Sequence, residues 1–165
     1  MSRLPKRPRP LFPPIFFLLA ASVASAAFAE HDERELTLAL AKQLMASAEA
    51  AAARLNAPGG AIAIVDDGGH LVMLERLDGT FPAASAVSTE KARTAAVFRM
   101  PTENLENAIR SGRNALLGVA VMTPLQGGVP IVVGGRAIGA VGVSGAASAA
   151  QDTEIAKAIA ASVAQ

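Results

Sequence analysis

Two periods organise the apolar and polar positions of this chain. From Leu36 to Leu55 (LTLALAKQLMASAEAAAARL), Leu36, Leu40, Leu44, Ala48, Ala51 and Leu55 recur at spacings of three and four. That spacing predicts an amphipathic helix of about five turns, closed by Asn56-Ala57-Pro58-Gly59-Gly60. Ala61 to Asp66 (AIAIVD) reads as a short strand. Asp67-Gly68-Gly69 turns the chain, and His70 to Leu77 is its hairpin partner. Ala83 to Met100 predicts a second helix, stopped by Pro101. Thr102 is expected to cap the next helix, which has an acid-rich start (TENLE) and ends near Ser111-Gly112. A loop then leads into a strand expected around Gly118 to Thr123. Pro130 to Gly134 and Arg136 to Ser144 form a hairpin through Gly134-Gly135. Ser148 opens a last helix, with Asp152 and Glu154 in the first turns, where the helix dipole favours acids.

The predicted order is helix, two strands, two helices, about three strands, helix. Strands joined by tight turns give an antiparallel sheet, and helices from both ends of the chain must cover it. The fold class is α+β, not a doubly wound parallel layout.

The first 29 residues follow a different logic. Arg3, Lys6, Arg7 and Arg9 make a basic start, and an apolar stretch begins at Leu11. Ala27-Phe28-Ala29 is a small-x-small cleavage signature, with Ala24-Ser25-Ala26 as the alternative. This reads as a secretory signal peptide (1–29), cleaved before Glu30. The apolar run is shorter than the ~20 residues of a spanning helix and is broken by prolines, so no stable membrane anchor is expected after cleavage. The mature domain would be residues 30–165, periplasmic or secreted.

Removing this leader changes the charge picture. The whole chain carries 15 basic and 14 acidic residues. Four of the basic ones leave with the leader, so the remaining 136 residues carry 11 basic against 14 acidic, a net charge of −3. A mildly acidic domain with no basic run is not expected to bind nucleic acid, whose affinity rests on phosphate neutralisation. The chain has no Cys, so disulfides, a thiolate nucleophile and Cys-based metal sites are excluded. Only Phe81 and Phe98 remain as aromatics beyond the leader. A core of small aliphatic side chains buries little area per residue, which favours a homo-oligomer.

Several stretches invite chemistry. The glycines of GGRAIGAVGVSGA lack both the dinucleotide fingerprint spacing and the Lys-Ser/Thr of a phosphate loop. They fall within a strand, where they permit close packing. No Ser-His-Asp arrangement is present, because there is no nucleophile elbow and only two histidines. His70, at the exit of the Gly-Gly turn, is either a solvated turn residue or a metal ligand. His31, its only companion, sits beside the cleavage point. The helix segment STEKARTAAVFRM brings together Glu90, Lys91, Arg93, Thr94 and Arg99. It is either a solvated face or an anion clamp in which Lys91 or Arg93 grips a carboxylate.

The trio VDDGGHLVMLERLDG, EKARTAA and GGVPIVVGGRAIGAVGVSGA, in that order and spacing, resembles the GlcG/HbpS-like haem-binding (haem-degrading domain) family. With the N-terminal helix and QDTEIAKAIAASV, the resemblance covers nearly all of Leu36 to Val163. It implies a profilin-like three-layer α/β/α sandwich around a five-stranded antiparallel sheet, in a homo-oligomer. It implies haem as cofactor, with buffering, breakdown or redox sensing as the roles; other members are linked to glycolate use or to a cobalamin adenosyltransferase. Lys91, Arg93 and Arg99 are then expected to hold propionates. His70 is the expected metal ligand, with His31, Met73, Met100 or Thr94 as alternatives. If breakdown occurs, bound iron and peroxide would supply the chemistry and the protein would position the ring. The rival readings are a cofactor-free binding module for a small carboxylate, anchored at Lys91 or Arg93, and an accessory scaffold.

Overall fold

The computed structural model describes residues 35–163. The expected leader and His31 lie outside the described residues.

Helix α1 (Leu38–Arg54) starts at Thr37, whose hydroxyl accepts the Leu40 N–H at 3.0 Å. Strands β1 (Ala61–Asp66) and β2 (Leu71–Arg76) form the first hairpin. Helices α2 (Ala84–Phe98) and α3 (Thr102–Arg110) follow, then a short 3-10 helix (Asn114–Gly118). Strands β3 (Gly128–Val133) and β4 (Arg136–Ser144) form the second hairpin, and α4 (Ala149–Ala161) ends the fold. The Gly134-Gly135 turn has positive φ at both residues, as a two-residue hairpin turn matched to strand twist requires. Ser148 caps α4 by accepting the Gln151 N–H.

The sheet order is β2-β1-β4-β3, antiparallel throughout, so the two hairpins meet along β1 and β4. Strand alternation sorts large from small side chains. Ile62, Ile64, Val141 and Val143 face α1 and α4, where Leu44, Met45, Ile155 and Ile159 complete the main core. Ala63, Val65 and Ala140 face the opposite way, against Ala92, Ala95 and Ala96 of α2. Gly142 lies on that second face: a Cβ there would collide with the Ser88 carbonyl and the Ala92 amide. The small residues of the sequence therefore let α2 lie almost on the sheet backbone.

Two expectations need correction. The described sheet has four strands, not five. Gly118 to Thr123 is not a strand: three of its N–H groups are drawn into turns or to another element. Val119 donates to Leu116 O, Met122 to Val119 O, and Thr123 to the Thr94 hydroxyl. These turn bonds and the tie to Thr94 hold the segment as a loop, and it has no partner in the described sheet. Thr102 is also not a cap. It is the first residue of α3 and makes no side-chain cap bond there. Its buried hydroxyl accepts the Gly128 N–H at 2.9 Å and holds α3 to the start of β3.

Candidate functional site

The site begins at the β1–β2 turn. Asp66 ends β1, and its Oδ1 accepts the N–H groups of Gly68 (3.0 Å) and His70 (2.8 Å). A carboxylate closing its own turn in this way is a local habit of aspartate. The same carboxylate reaches the imidazole: His70 Nδ1 is 3.2 Å from each oxygen. Burial pushes the Asp66 carboxyl up. The backbone bond from His70, the ring bond and charge of His70, and the Gly68 bond together outweigh that push and hold it below the ordinary carboxylate range. With Nδ1–H donated to the carboxylate, the neutral ring keeps its lone pair on Nε2. Among the described residues Nε2 has no hydrogen-bond partner, and the side chain is 75% exposed.

The turn is seated on α2. At Gly69 (φ +81°) a Cβ would come within 2.9 Å of Arg93 Cγ and 3.4 Å of Val97 Cγ1. Arg93 and Val97 in turn line a cavity of about 430 Å³ with Glu90, Ala120 and Val121. Its outer wall is the loop after the 3-10 helix, and Thr94 pins that loop by accepting the Thr123 N–H at 2.9 Å. Val97 and Val121 are 45% and 67% exposed, so the wall is apolar and open. Arg93 keeps a loose 3.7 Å contact with Glu90.

His70, Arg93 and Thr94 are thus brought to one neighbourhood, with Thr94 buried as a pin. Lys91 is elsewhere. It points through the small-residue side of α2, where Nζ donates to Val143 O at 2.9 Å and to Asp152 Oδ2 at 3.0 Å. Both side chains of that pair are buried, so the Lys91 charge is already met inside the fold. Arg99 lines a separate cavity at the end of α2. Met73 packs at the edge of the main core. Among the described residues no group of three or more His, Cys, Asp or Glu could hold a metal ion by itself.

Asp66 and Asp152 were both missed by sequence reasoning. The DDGG turn carried a signal for Asp66, since an aspartate opening a Gly-Gly turn bonds to the amides after it. Asp152 carried none: its place at a helix start has the helix dipole as sufficient reason. Among the described residues the other displaced carboxyl is Glu75 on β2. A side-chain hydrogen bond with Glu49 of α1, then burial, then like charge, raise it above the ordinary value. It lies toward the far end of the hairpin from His70, opposite Ile62.

These features define an α+β protein with an antiparallel sheet covered by helices on both faces and a carboxylate-oriented imidazole at its rim. The chain belongs to the family described as haem degrading protein HbpS-like, whose model matches residues 36–161. It is 47% identical over 112 residues to the protein GlcG of Escherichia coli K12, covering 66% of this chain and 84% of GlcG. The crystal structure of HbpS is similar at a TM-score of 0.71 and 29% identity, covering 78% of this chain and 90% of that one. A PduOC–haem complex is similar at a TM-score of 0.67 and 26% identity, covering 77% and 94%.

Proposed function

We propose that this protein binds haem at the rim formed by the β1–β2 turn, the second half of α2 and the loop at Ala120-Val121, with His70 as the iron ligand and Arg93 as a propionate partner. The observation that carries this reading is the Asp66–His70 pair. Metal-ligating histidines almost always donate their second ring N–H to a carboxylate or carbonyl, which fixes the tautomer and raises ligand basicity. Here that partner is built into the turn. Val97, Ala120 and Val121 supply an apolar wall and Arg93 a cation, so the residues fit the group. A fold relative crystallised with haem supports the reading. Bound haem would supply the redox chemistry; the chain would hold the ring, set its orientation and limit its access to water.

The wall is open in a single chain, and a flat macrocycle laid on it would keep one side bare. We therefore propose that a second copy completes the site in a homo-oligomer. We further propose export with cleavage before Glu30 and a mature protein in the periplasm or outside the cell; the basic and then apolar character of residues 1–29 supports this. Mass spectrometry of the processed N-terminus checks that cleavage.

The direct test is a hemin titration of residues 30–165 without a His tag, followed in the Soret band. A sharp band saturating at one haem per chain or per pair of chains is expected. His70→Ala should fold normally and lose that band. A broad, unsaturating rise, or an unchanged spectrum in His70→Ala, removes the assignment.

A further inference from the structure

The geometry points to a second binding site, for a small monocarboxylate with an apolar body, in the cavity between the end of α2 and the β3–β4 hairpin. This cavity has a volume of about 590 Å³, within the range of small-molecule sites. Three charged side chains line it: Arg99 from the end of α2, Arg136 from the start of β4, and Asp67 from the β1–β2 turn. Because Asp66 pairs with Gly139, both hairpin turns lie at the same end of the sheet, and this brings Asp67 to Arg136. Their ion pair is loose, at 3.6 Å, with both side chains more than half exposed. Among the described residues no carboxylate lies within ion-pair distance of Arg99. Two guanidinium groups against one carboxylate leave one net positive charge. The rest of the wall is apolar, from Val129, Pro130 and Val132.

Arg99 has a further peculiarity. It is the C-cap of α2 in the left-handed region, at φ 53° and ψ 38°. That position is ordinarily given to glycine, because a side chain there is strained. A long cationic side chain stands where glycine would fit more easily, and it lines the larger of the two cavities described above. Strain retained at a cavity is an observation from which function can be inferred. Guanidinium groups match carboxylates in planar, paired hydrogen bonds. The single net charge selects a monoanion, and the aliphatic wall selects an organic acid over a bare inorganic anion.

The test uses calorimetric titration of the purified protein with hexanoate, with inorganic phosphate as the second probe and no hemin present, so the outcome is independent of the haem reading. Hexanoate should bind at one per chain. Arg136→Gln should weaken it about tenfold or more, the size expected for loss of a charge-assisted bond. Arg99→Gly should weaken it similarly while its melting temperature stays level or rises, since glycine relieves the left-handed strain. That opposite movement of binding and stability separates a ligand residue from a structural one. The proposal is overturned if hexanoate gives no saturable binding at millimolar concentration, or if phosphate binds as tightly. It is equally overturned if Arg99→Gly binds hexanoate unchanged.

Discussion

At Asp66 one carboxylate serves both the backbone of a turn and the ring of a histidine. Replacing it separates the two jobs. Asp66→Asn keeps an acceptor for the Gly68 and His70 amides but loses the charge facing the imidazole. The expected outcome is a folded protein whose hemin affinity falls on the order of tenfold, the lower end of effects seen when a ligand's outer partner is removed. Titration of the variant beside the parent checks this, and an unchanged affinity would separate Asp66 from the site. The pH dependence has a definite sign. The Asp66 carboxyl is held below its ordinary value in the fold, so its contribution is complete above the unfolded carboxylate pKa of about 3.9 and is lost as pH falls through the lower, folded value. The group is 38% exposed on its side chain, so screening keeps that contribution small. The protection factors of the Gly68 and His70 amides, each taken against the intrinsic exchange rate at the same pH, should fall below about pH 4 while the sheet centre stays protected.

At the scale of elements, the Lys91–Asp152 pair clamps α2 and α4 to β4 from opposite faces of the sheet. Removing one partner leaves a buried charge unpaired, which costs about 3–5 kcal/mol. Lys91→Met should therefore destabilise strongly in urea unfolding. Adding Asp152→Asn, which still accepts the Ala146 N–H, should recover at least half of the loss. A single variant as stable as the parent would show that the clamp does not hold the layers. This pair also marks the boundary of what the chain made legible. Helix periodicity, the DDGG and GG turns and the Ser148 cap all act within a few residues, and each was readable. Lys91 looked like a surface cation because its neighbours in sequence are polar; its partners lie 52 and 61 residues away. The strand expected at 118–123 failed for the same reason, since the Thr94 hydroxyl that claims its amide comes from another element. Of the site, His70 and Arg93 could be nominated from local pattern. The Asp66 contact, the cavity wall at Val121 and the separation of Arg99 from Arg93 required the fold.

For the whole molecule, small side chains pack the α2 face of the sheet, and several large apolar ones stay outside. Leu71, Phe81, Val97, Leu117 and Val121 are each at least 45% exposed. Of these, Val97 and Val121 line the candidate site, and exposed apolar residues at such a place favour association. Light scattering of residues 30–165 is expected to give a mass that is a multiple of the single chain. Val97→Glu should lower that mass and weaken hemin binding together. A parent that stays monomeric at high concentration would overturn the shared-site part of the proposal. No described helix is long and apolar enough to cross a membrane.

The sheet order has a consequence in time as well as in space. Each hairpin is local and can close within microseconds. The seam between them joins Ala61 to Ser144 and Asp66 to Gly139, pairs 83 and 73 residues apart, about half the length of the chain. Closing so long a loop costs entropy before any contact rewards it. The slow step of folding should be the meeting of β1 with β4, after both hairpins exist. Until that seam zips, Ile62, Ile64, Val141 and Val143 lack the shelter of the common core. During synthesis the first hairpin must wait, apolar and unpaired, for the last third of the chain to emerge.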